Sequence, residues 1–144
     1  MSPASPDRIR PIAIALIRDA AGRLLVTSTD DPVTGRTFVR PPGGGIEPGE
    51  RATDTIVREL DEELGLAVES PRLLGVIEHV FDFAGHTLHE HVFVLAVEAA
   101  ADAVLPSVTD AGHPVWWLAV DRFQDPALDL VPAGLLRYVE SHPH

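Results

Sequence analysis

The segment that decides the fold runs from Gly44 to Leu66 and reads GGIEPGERATDTIVRELDEELGL. It follows Pro41-Pro42-Gly43, and this run of prolines and glycines predicts a loop, because proline lacks a backbone donor and glycine tolerates positive φ. From Arg51 to Leu64 the apolar residues have helical spacing, and Gly65 stands where a helix C-cap is expected. We therefore expect a loop, a helix and a capping glycine in succession.

The predicted helix separates acidic from apolar side chains. Glu59, Glu62 and Glu63 share one face because they are three and four positions apart. Each like-charged pair at these spacings opposes helix formation by about 0.2–0.5 kcal/mol. A hard divalent cation would turn that repulsion into coordination, since such ions prefer carboxylate oxygens. A solvated acidic face is the alternative interpretation.

The loop and the helix together match a known motif. Gly44, five residues, Glu50, seven residues and then Arg58-Glu59-Leu60-Asp61-Glu62-Glu63-Leu64-Gly65-Leu66 fill every fixed position of the Nudix box. The box covers 23 of the 144 residues. Neither part is specific alone, but their joint spacing is. The sequence therefore resembles the Nudix (MutT-like) hydrolase family.

The resemblance implies an α/β fold of the Nudix type, an α/β/α sandwich with a mixed central sheet. It implies a single Nudix hydrolase domain over residues 1–144, with its core at about 8–140. Alternation of apolar and polar residues predicts strands, and a short helix is expected at about 131–140. The predicted strands are Ile9 to Arg18, joined by a tight turn to Leu24-Leu25-Val26, then Arg72 to Phe83, His89 to Val97 and Val115 to Val120.

Metal and catalytic roles also follow from the resemblance. It implies that Glu59, Glu62 and Glu63, with the carbonyl oxygen of Gly43, hold Mg²⁺ or Mn²⁺. The ions would neutralise charge on a diphosphate and lower the pKa of the attacking water. Either Glu59 or Glu62 would accept the proton of that water, and the resemblance leaves this choice open.

Arg58 is the remaining catalytic candidate, expected to position the site by pairing with Glu50 or a helix carboxylate. Other residues are predicted to contact substrate: Gly44, Gly45, Arg36 and Arg40. An additional carboxylate from outside the box is expected in such a site. Glu90 and Glu98 are the candidates, and each has the alternative of being a surface glutamate.

Histidines and tryptophans outside the box have two interpretations each. His89 and His91 lie on one side of a predicted strand, with His86 nearby, which suggests zinc. Because a third ligand at suitable spacing and any thiolate are missing, histidines at a sheet edge or in a substrate pocket are favoured. Trp116 and Trp117 should point to opposite faces, one into the core and the other available to stack on a base.

Composition limits the function. The hydrophobic fraction of 45% is typical of a globular protein. Eleven Lys and Arg against 22 Asp and Glu give a net charge of −11, which disfavours binding to a nucleic acid duplex or an anionic membrane. The lack of cysteine excludes disulfides and thiolate metal sites. The start, Met1 to Asp7, lacks a signal pattern, so we expect a cytoplasmic protein, for which a homodimer remains open.

The substrate expected from the resemblance is a small phosphorylated nucleotide, a nucleoside diphosphate linked to another group. Nucleoside di- or triphosphates and nucleotide sugars are favoured. Phe81 replaces the proline typical of ADP-ribose enzymes, and Phe83 lies near the place of the tyrosine typical of dinucleoside polyphosphate enzymes. A catalytically silent nucleotide-binding module is the alternative. An isopentenyl diphosphate isomerase is disfavoured, because such enzymes use a cysteine.

Overall fold

Two four-stranded sheets and two α-helices make up the fold. The computed structural model describes residues 6–100 and 102–141. The argument about a signal pattern therefore falls partly on residues outside the described ones. The strands and helices are β1 Ile9–Leu16, β2 Leu24–Asp30, β3 Thr37–Arg40, β4 Gly43–Gly45, α1 Ala52–Leu64, β5 Arg72–Phe83, β6 His86–Ala96, β7 Val115–Leu118, β8 Leu128–Leu130 and α2 Leu136–Ser141, with a 3₁₀ turn at Val120–Arg122.

The order of strands is β4-β1-β6-β5 in the first sheet and β7-β2-β3-β8 in the second. Each sheet contains one parallel pair, β1 with β6 and β3 with β8, among antiparallel pairs. The predicted α/β class with mixed strand directions is confirmed. The strands are divided between two sheets, whereas the sequence suggested a single one.

Helix α1 forms because residues at both of its ends provide hydrogen bonds for backbone groups that the helix itself leaves unpaired. Asp54 accepts a hydrogen bond from the backbone N–H of Arg51 at 2.9 Å, which uses one of the free donors of the first turn. At the other end Gly65 has a φ of 62°, and its N–H donates to the carbonyl of Asp61 at 2.9 Å. Glycine adopts this left-handed conformation at little cost in free energy, because it has no Cβ. The predicted helix and its capping glycine are confirmed.

The core has two layers, one on each face of the first sheet. Alternation along β1 divides its side chains, so that Ile12, Ile14 and Leu16 face the second sheet, while Ala13 and Ala15 face α1. Ile56 and Leu60 of α1 pack on the small alanines and are fully buried. The acidic face of α1 is thereby fixed at the edge of the sheet, beside β4.

The expectation about the glycine segment was wrong. Gly43–Gly45 forms a strand, β4, paired with β1, where the sequence predicted a loop. A Cβ on Gly43 would collide with the backbone carbonyl of Ala13, so glycine is needed here for close approach of two chains. The predicted tight turn between β1 and β2 is present, with the N–H of Gly22 donating to the carbonyl of Asp19 at 2.9 Å. The two strands then separate into different sheets, and beyond the turn an isolated bridge joins Arg18 to Leu24.

The end of the chain also differs from expectation. Helix α2 begins at Leu136, five residues after the predicted start at Val131. Pro132 and Gly134, whose φ is 90°, occupy the segment between them and do not favour a regular helix. Strand β8 was not predicted, because three residues give no readable alternation. Across the part of the chain that is described, we find no helix of the length and apolarity needed to cross a membrane.

Candidate active site

Arg58 is the central side chain of the box. Its Nε donates to Glu50 Oε2 at 2.8 Å, and its Nη2 donates to Glu50 Oε1 at 2.9 Å, so the pair is bidentate. The expected pairing of Arg58 with Glu50 is thus observed. Glu50 also accepts hydrogen bonds from the backbone N–H of Glu47 and the hydroxyl of Thr55, at 3.0 and 3.1 Å. Four donors on one carboxylate fix its position.

These contacts decide the ionisation of the pair. The hydrogen bonds from Arg58 lower the pKa of Glu50 to about 2, and those with Glu50 raise the pKa of Arg58. Glu50 is therefore an anion at any ordinary pH and is a poor acceptor of protons. Its role in the geometry is to hold the guanidinium.

The same guanidinium reaches the acidic face of the helix. Arg58 Nη1 donates to Glu59 Oε1 at 2.9 Å and to Glu62 Oε2 at 3.3 Å, and Nη2 donates to the carbonyl of Gly45 at 3.2 Å. The arginine thus connects the glycine strand to two of the three acidic residues. Like charges that repel in an isolated helix are held together by this cation.

Glu59 is buried between the helix and β4. Its side chain is 2% exposed, and a Cβ on Gly44 would lie 2.5 Å from its carboxyl carbon. Gly44 therefore provides the space that the Glu59 carboxylate occupies. Gly43 and Gly45 are buried beside it in the same strand.

Glu62 and Glu63 differ in their surroundings although they are neighbours. The side chain of Glu62 is 48% exposed. Glu63 is buried, and burial, followed by the negative charge of Glu59, raises the pKa of Glu63 to about 7. The positive charge of Arg40 opposes this rise without cancelling it.

A pocket opens next to Glu63, between the two sheets. Its volume of about 180 Å³ is smaller than the roughly 300–1,000 Å³ typical of sites for whole drug-sized ligands, so it fits one ring system of a larger molecule. Its residues come from segments far apart in the sequence: Thr27, Thr29, Phe38, Arg40, Glu63, His79, Phe81, Phe83, Leu88, Glu90, Thr109, His113, Val131 and Pro132.

Aromatic rings form one wall of this pocket. His79 stacks on Phe81 with ring centroids 4.1 Å apart, and Phe38 meets Phe83 edge to face at 5.3 Å. These rings offer flat apolar surfaces to a ligand. The sequence had suggested a tryptophan for such stacking. Trp116 and Trp117 instead pack against the two core layers, as their alternation predicted, and neither lines the pocket.

Charged residues lie at the other side of the pocket. Arg40 lines it and influences the pKa values of both Glu63 and His79. Glu90 lines it too, buried and 3.8 Å from Nη1 of Arg10. Of the two candidates for an additional carboxylate, the structure brings Glu90 to the pocket. Glu98 is exposed and lies beyond the end of β6.

Arg36 lies away from the carboxylates. It forms a bidentate pair with Asp129, with distances of 3.0 and 2.8 Å, and lines a second depression that shares Phe38 and Phe81 with the pocket. The pair with Asp129 raises the pKa of Arg36. Arg36 is thus committed to a contact that joins β3 to β8.

Sequence reasoning missed Arg10. Its Nε and Nη2 are buried and have no hydrogen-bond partner among the described residues. Burial lowers the pKa of Arg10, and the neighbouring charge of Glu90 opposes this change. The sequence did contain one signal. Arg10 is two residues before Ile12 and four before Ile14 on β1, so its side chain lies on the same inward face of the strand. An arginine at an inward position needs an anionic partner.

His79 gives the fold a predicted dependence on pH. It is 6% exposed, and burial, with a smaller effect of the Arg40 charge, lowers the pKa of His79 from 6.5 to about 4. The unfolded chain therefore binds a proton below pH 6.5 that the folded chain rejects. The stability contributed by neutral His79 is complete above pH 6.5 and falls between 6.5 and 4.

We expect the free energy of unfolding at pH 5, relative to pH 7, to fall further in the wild type than in His79→Gln. The difference should be on the order of 1–2 kcal/mol. Urea denaturation at both pH values measures it. The raised pKa of Glu63 makes the folded chain more stable as the pH falls, which is the opposite of the effect of His79. Glu63 is present in both proteins, so the difference between their pH dependences isolates the effect of His79. Equal pH dependence in both would contradict the assignment to His79.

Comparison with known proteins identifies the class. The family model described as NUDIX domain matches residues 8–139. A MutT NUDIX hydrolase from Burkholderia pseudomallei is similar in structure, with a TM-score of 0.62 and 26% identity over 93% of this chain and 98% of that one. The chain therefore belongs to the Nudix family, and the resemblance inferred from the box is confirmed.

Two similar proteins show how far the likeness extends. The low-salt glycan biosynthesis protein Agl8 of Haloferax volcanii is 40% identical over 67 residues, which are 46% of this chain and 42% of that protein. Diphosphoinositol polyphosphate phosphohydrolase 3-alpha of Mus musculus is 38% identical over 83 residues, 58% of this chain and 49% of that protein. The matches thus cover less than half the length of these two relatives.

Proposed function

We propose that this chain is a metal-dependent pyrophosphohydrolase that cleaves a diphosphate linkage in a nucleoside diphosphate joined to another group. The favoured substrates are nucleoside di- or triphosphates and nucleotide sugars. One observation supports this most strongly: Glu63, at the end of the acidic helix face, also lines a pocket with aromatic walls. The carboxylates and a site for a flat ring are therefore adjacent.

The residues fit a divalent ion. Burial and the negative charge of Glu59 raise the pKa of Glu63, and a divalent cation between two such carboxylates would offset their repulsion. We propose Glu59, Glu62 and Glu63, with the carbonyl of Gly43, as ligands of Mg²⁺ or Mn²⁺, and Glu90 as the additional carboxylate. The ion, when bound, would neutralise charge on the diphosphate and make a water more acidic.

The remaining chemistry is assigned to the protein. Glu62 is the better acceptor for the proton of the attacking water, because its side chain is 48% exposed whereas that of Glu59 is 2% exposed. Arg58 is bonded to Glu59 and Glu62 and would keep them in place during the reaction. Arg40, which lines the pocket, and Arg10, which lies beside Glu90, would meet the phosphates. Gly44 and Gly45 have no side chains, so β4 would leave space for the phosphates.

The pocket favours a nucleoside over a polyphosphorylated ring. Its walls are mainly aromatic and apolar, and Arg40 is the arginine among its lining residues. An inositol polyphosphate, the substrate class in the name of the mouse relative, needs several basic side chains. A net charge of −11 disfavours it further.

A substrate panel tests the proposal. Nucleoside di- and triphosphates, nucleotide sugars and a diphosphoinositol polyphosphate are incubated with Mg²⁺, with Mn²⁺ and with chelator, and products are separated by anion exchange. We expect cleavage of a nucleotide at the diphosphate in the presence of either ion and none with chelator. Cleavage restricted to the inositol compound would contradict the nucleoside assignment. Binding without cleavage throughout would favour the silent module.

The aromatic wall has its own predicted effect. Phe81→Ala removes the ring that stacks on His79, and we expect KM to rise about tenfold with little change in kcat, since stacking on a base contributes about 1–3 kcal/mol. Steady-state kinetics on the nucleotide found in the panel measure this. Phe93→Ala is the matched control, because Phe93 packs in the layer beside α1. An equal rise of KM in both variants would contradict the assignment of the wall.

A further inference from the structure

A second group of possible metal ligands lies on β5 and β6, outside the box. It consists of Glu78, His89 and His91, and the ligand atoms that these side chains offer all lie within 4.8 Å of one another. His91 Nε2 is 3.9 Å from Glu78 Oε2, and the rings of His89 and His91 have centroids 5.1 Å apart. The sequence lacked a third ligand for the histidine pair, and the structure supplies it.

The pairing of the strands explains how the three residues meet. Glu78 is the direct cross-strand partner of His91, and His89 lies two residues from His91 on the same side of β6. Two rigid strands therefore hold the three backbones in fixed relation. No loop needs to close for the ligands to converge.

This group is separate from the candidate active site. Along β6, Glu90 and Val92 point to the pocket and the core between the sheets, so His89 and His91 point to the opposite face. On β5 the same alternation separates Glu78 from His79. An ion held here would not contact a ligand in the pocket, which lies on the other face of the sheet. Helix α1 packs on the same face as His89 and His91, but none of the box carboxylates belongs to the group.

We propose that Glu78, His89 and His91 form a site for a late first-row divalent ion such as Zn²⁺. Two imidazoles and one carboxylate suit Zn²⁺, whereas Mg²⁺ prefers oxygen ligands alone. Bonds of about 2.0–2.2 Å in a tetrahedral site put ligand atoms about 3.4 Å apart. The ligand atoms now lie within 4.8 Å of one another, so the longest separation would shorten on binding the ion. Three protein ligands leave the fourth position to water.

The ion would join β5 to β6 from the face of the sheet opposite the pocket. These two strands carry His79, Phe81 and Glu90 on the inner face, where they line the pocket. Because the ion binds the folded arrangement, its binding stabilises that arrangement. Zinc should therefore raise the melting temperature of the chain even when Mg²⁺ already saturates the box.

Equilibrium dialysis of the whole chain against Zn²⁺, in excess Mg²⁺ to occupy the box, tests this site. We expect about one Zn²⁺ per chain at micromolar concentration, and an affinity at least tenfold weaker in Glu78→Gln, His89→Gln and His91→Gln. His86→Gln is the matched control, since His86 starts the same strand but is outside the group. It should bind zinc as the wild type does.

The result is checked without any variant by NMR of the imidazole rings. Zinc should shift the signals of His89 and His91 and leave those of His86 and His113 in place. The proposal is overturned if zinc does not bind in excess Mg²⁺, if binding is unchanged in both His89→Gln and His91→Gln, or if Glu62→Gln abolishes it. None of these results bears on hydrolysis, so the proposed function is tested separately.

Discussion

Replacing Glu63 with glutamine is expected to lower kcat by about 10²–10³-fold, the usual cost of removing one group that stabilises charge in a transition state. The change keeps the size of the side chain and removes its charge. Because charged Glu63 is disfavoured by burial and by Glu59, glutamine should leave stability equal to or above that of the wild type. Activity and stability therefore move in opposite directions. Initial rates at saturating Mg²⁺, with urea denaturation alongside, measure both.

The variant Glu62→Gln should show the same loss of turnover from an exposed position. Asp61→Asn is the matched control, because it makes the same change of charge on an exposed residue one position away. We expect Asp61→Asn to keep the wild-type rate. Rates near wild type in both glutamate variants would show that these carboxylates do not hold the catalytic ion.

The second large effect concerns the glycine strand. Gly43→Ala would place a Cβ against the backbone carbonyl of Ala13, which cannot move without disturbing the pairing of β1 with β4. We expect it to destabilise the fold by about 1–3 kcal/mol or more, as overpacking does. Urea denaturation gives the change in the free energy of unfolding.

The Cβ added by Gly44→Ala would contact a side chain, whereas the Cβ added by Gly43→Ala would contact the backbone. Its Cβ would lie 2.5–2.7 Å from the carboxyl atoms of Glu59, a side chain that is held by Arg58. We expect a smaller loss of stability than for Gly43→Ala, with turnover reduced about tenfold or more, since misplacing a reacting group by about an ångström is costly. The two alanine variants thus serve as controls for each other. A larger loss of stability in Gly44→Ala would contradict this account.

Local sequence was sufficient for the parts of the fold that depend on local interactions. Helix α1 and Gly65 were predicted because capping and apolar spacing act within a few residues. The pair of Arg58 and Glu50 was also expected, since it lies inside one motif. The strand formed by Gly43–Gly45 was missed, because its cause is the approach of Ala13, thirty positions earlier in the sequence.

The pocket could not be predicted from the sequence either, because its residues are also far apart along the chain. Phe38, Phe81 and Glu90 meet only when β3, β5 and β6 take their places in two sheets. The sequence did not favour a zinc site because the third ligand could not be recognised from it. Glu78 is brought beside His91 by the pairing of β5 with β6, and the spacing of residues along the chain does not reveal that pairing. Alternation correctly placed both tryptophans, since a strand's period of two is local.

Hydrolysis in ¹⁸O-labelled water, followed by mass spectrometry of the products, tests the central claim most directly. We expect one of the two phosphate products to contain one ¹⁸O atom per turnover, in the presence of Mg²⁺ or Mn²⁺, with no product after chelation. Glu62→Gln and Glu63→Gln should slow the formation of labelled product in proportion to kcat, with the label still at one ¹⁸O atom per turnover. A nucleotide that binds the pocket but yields no labelled product with either ion would contradict the claim that these carboxylates cleave a diphosphate.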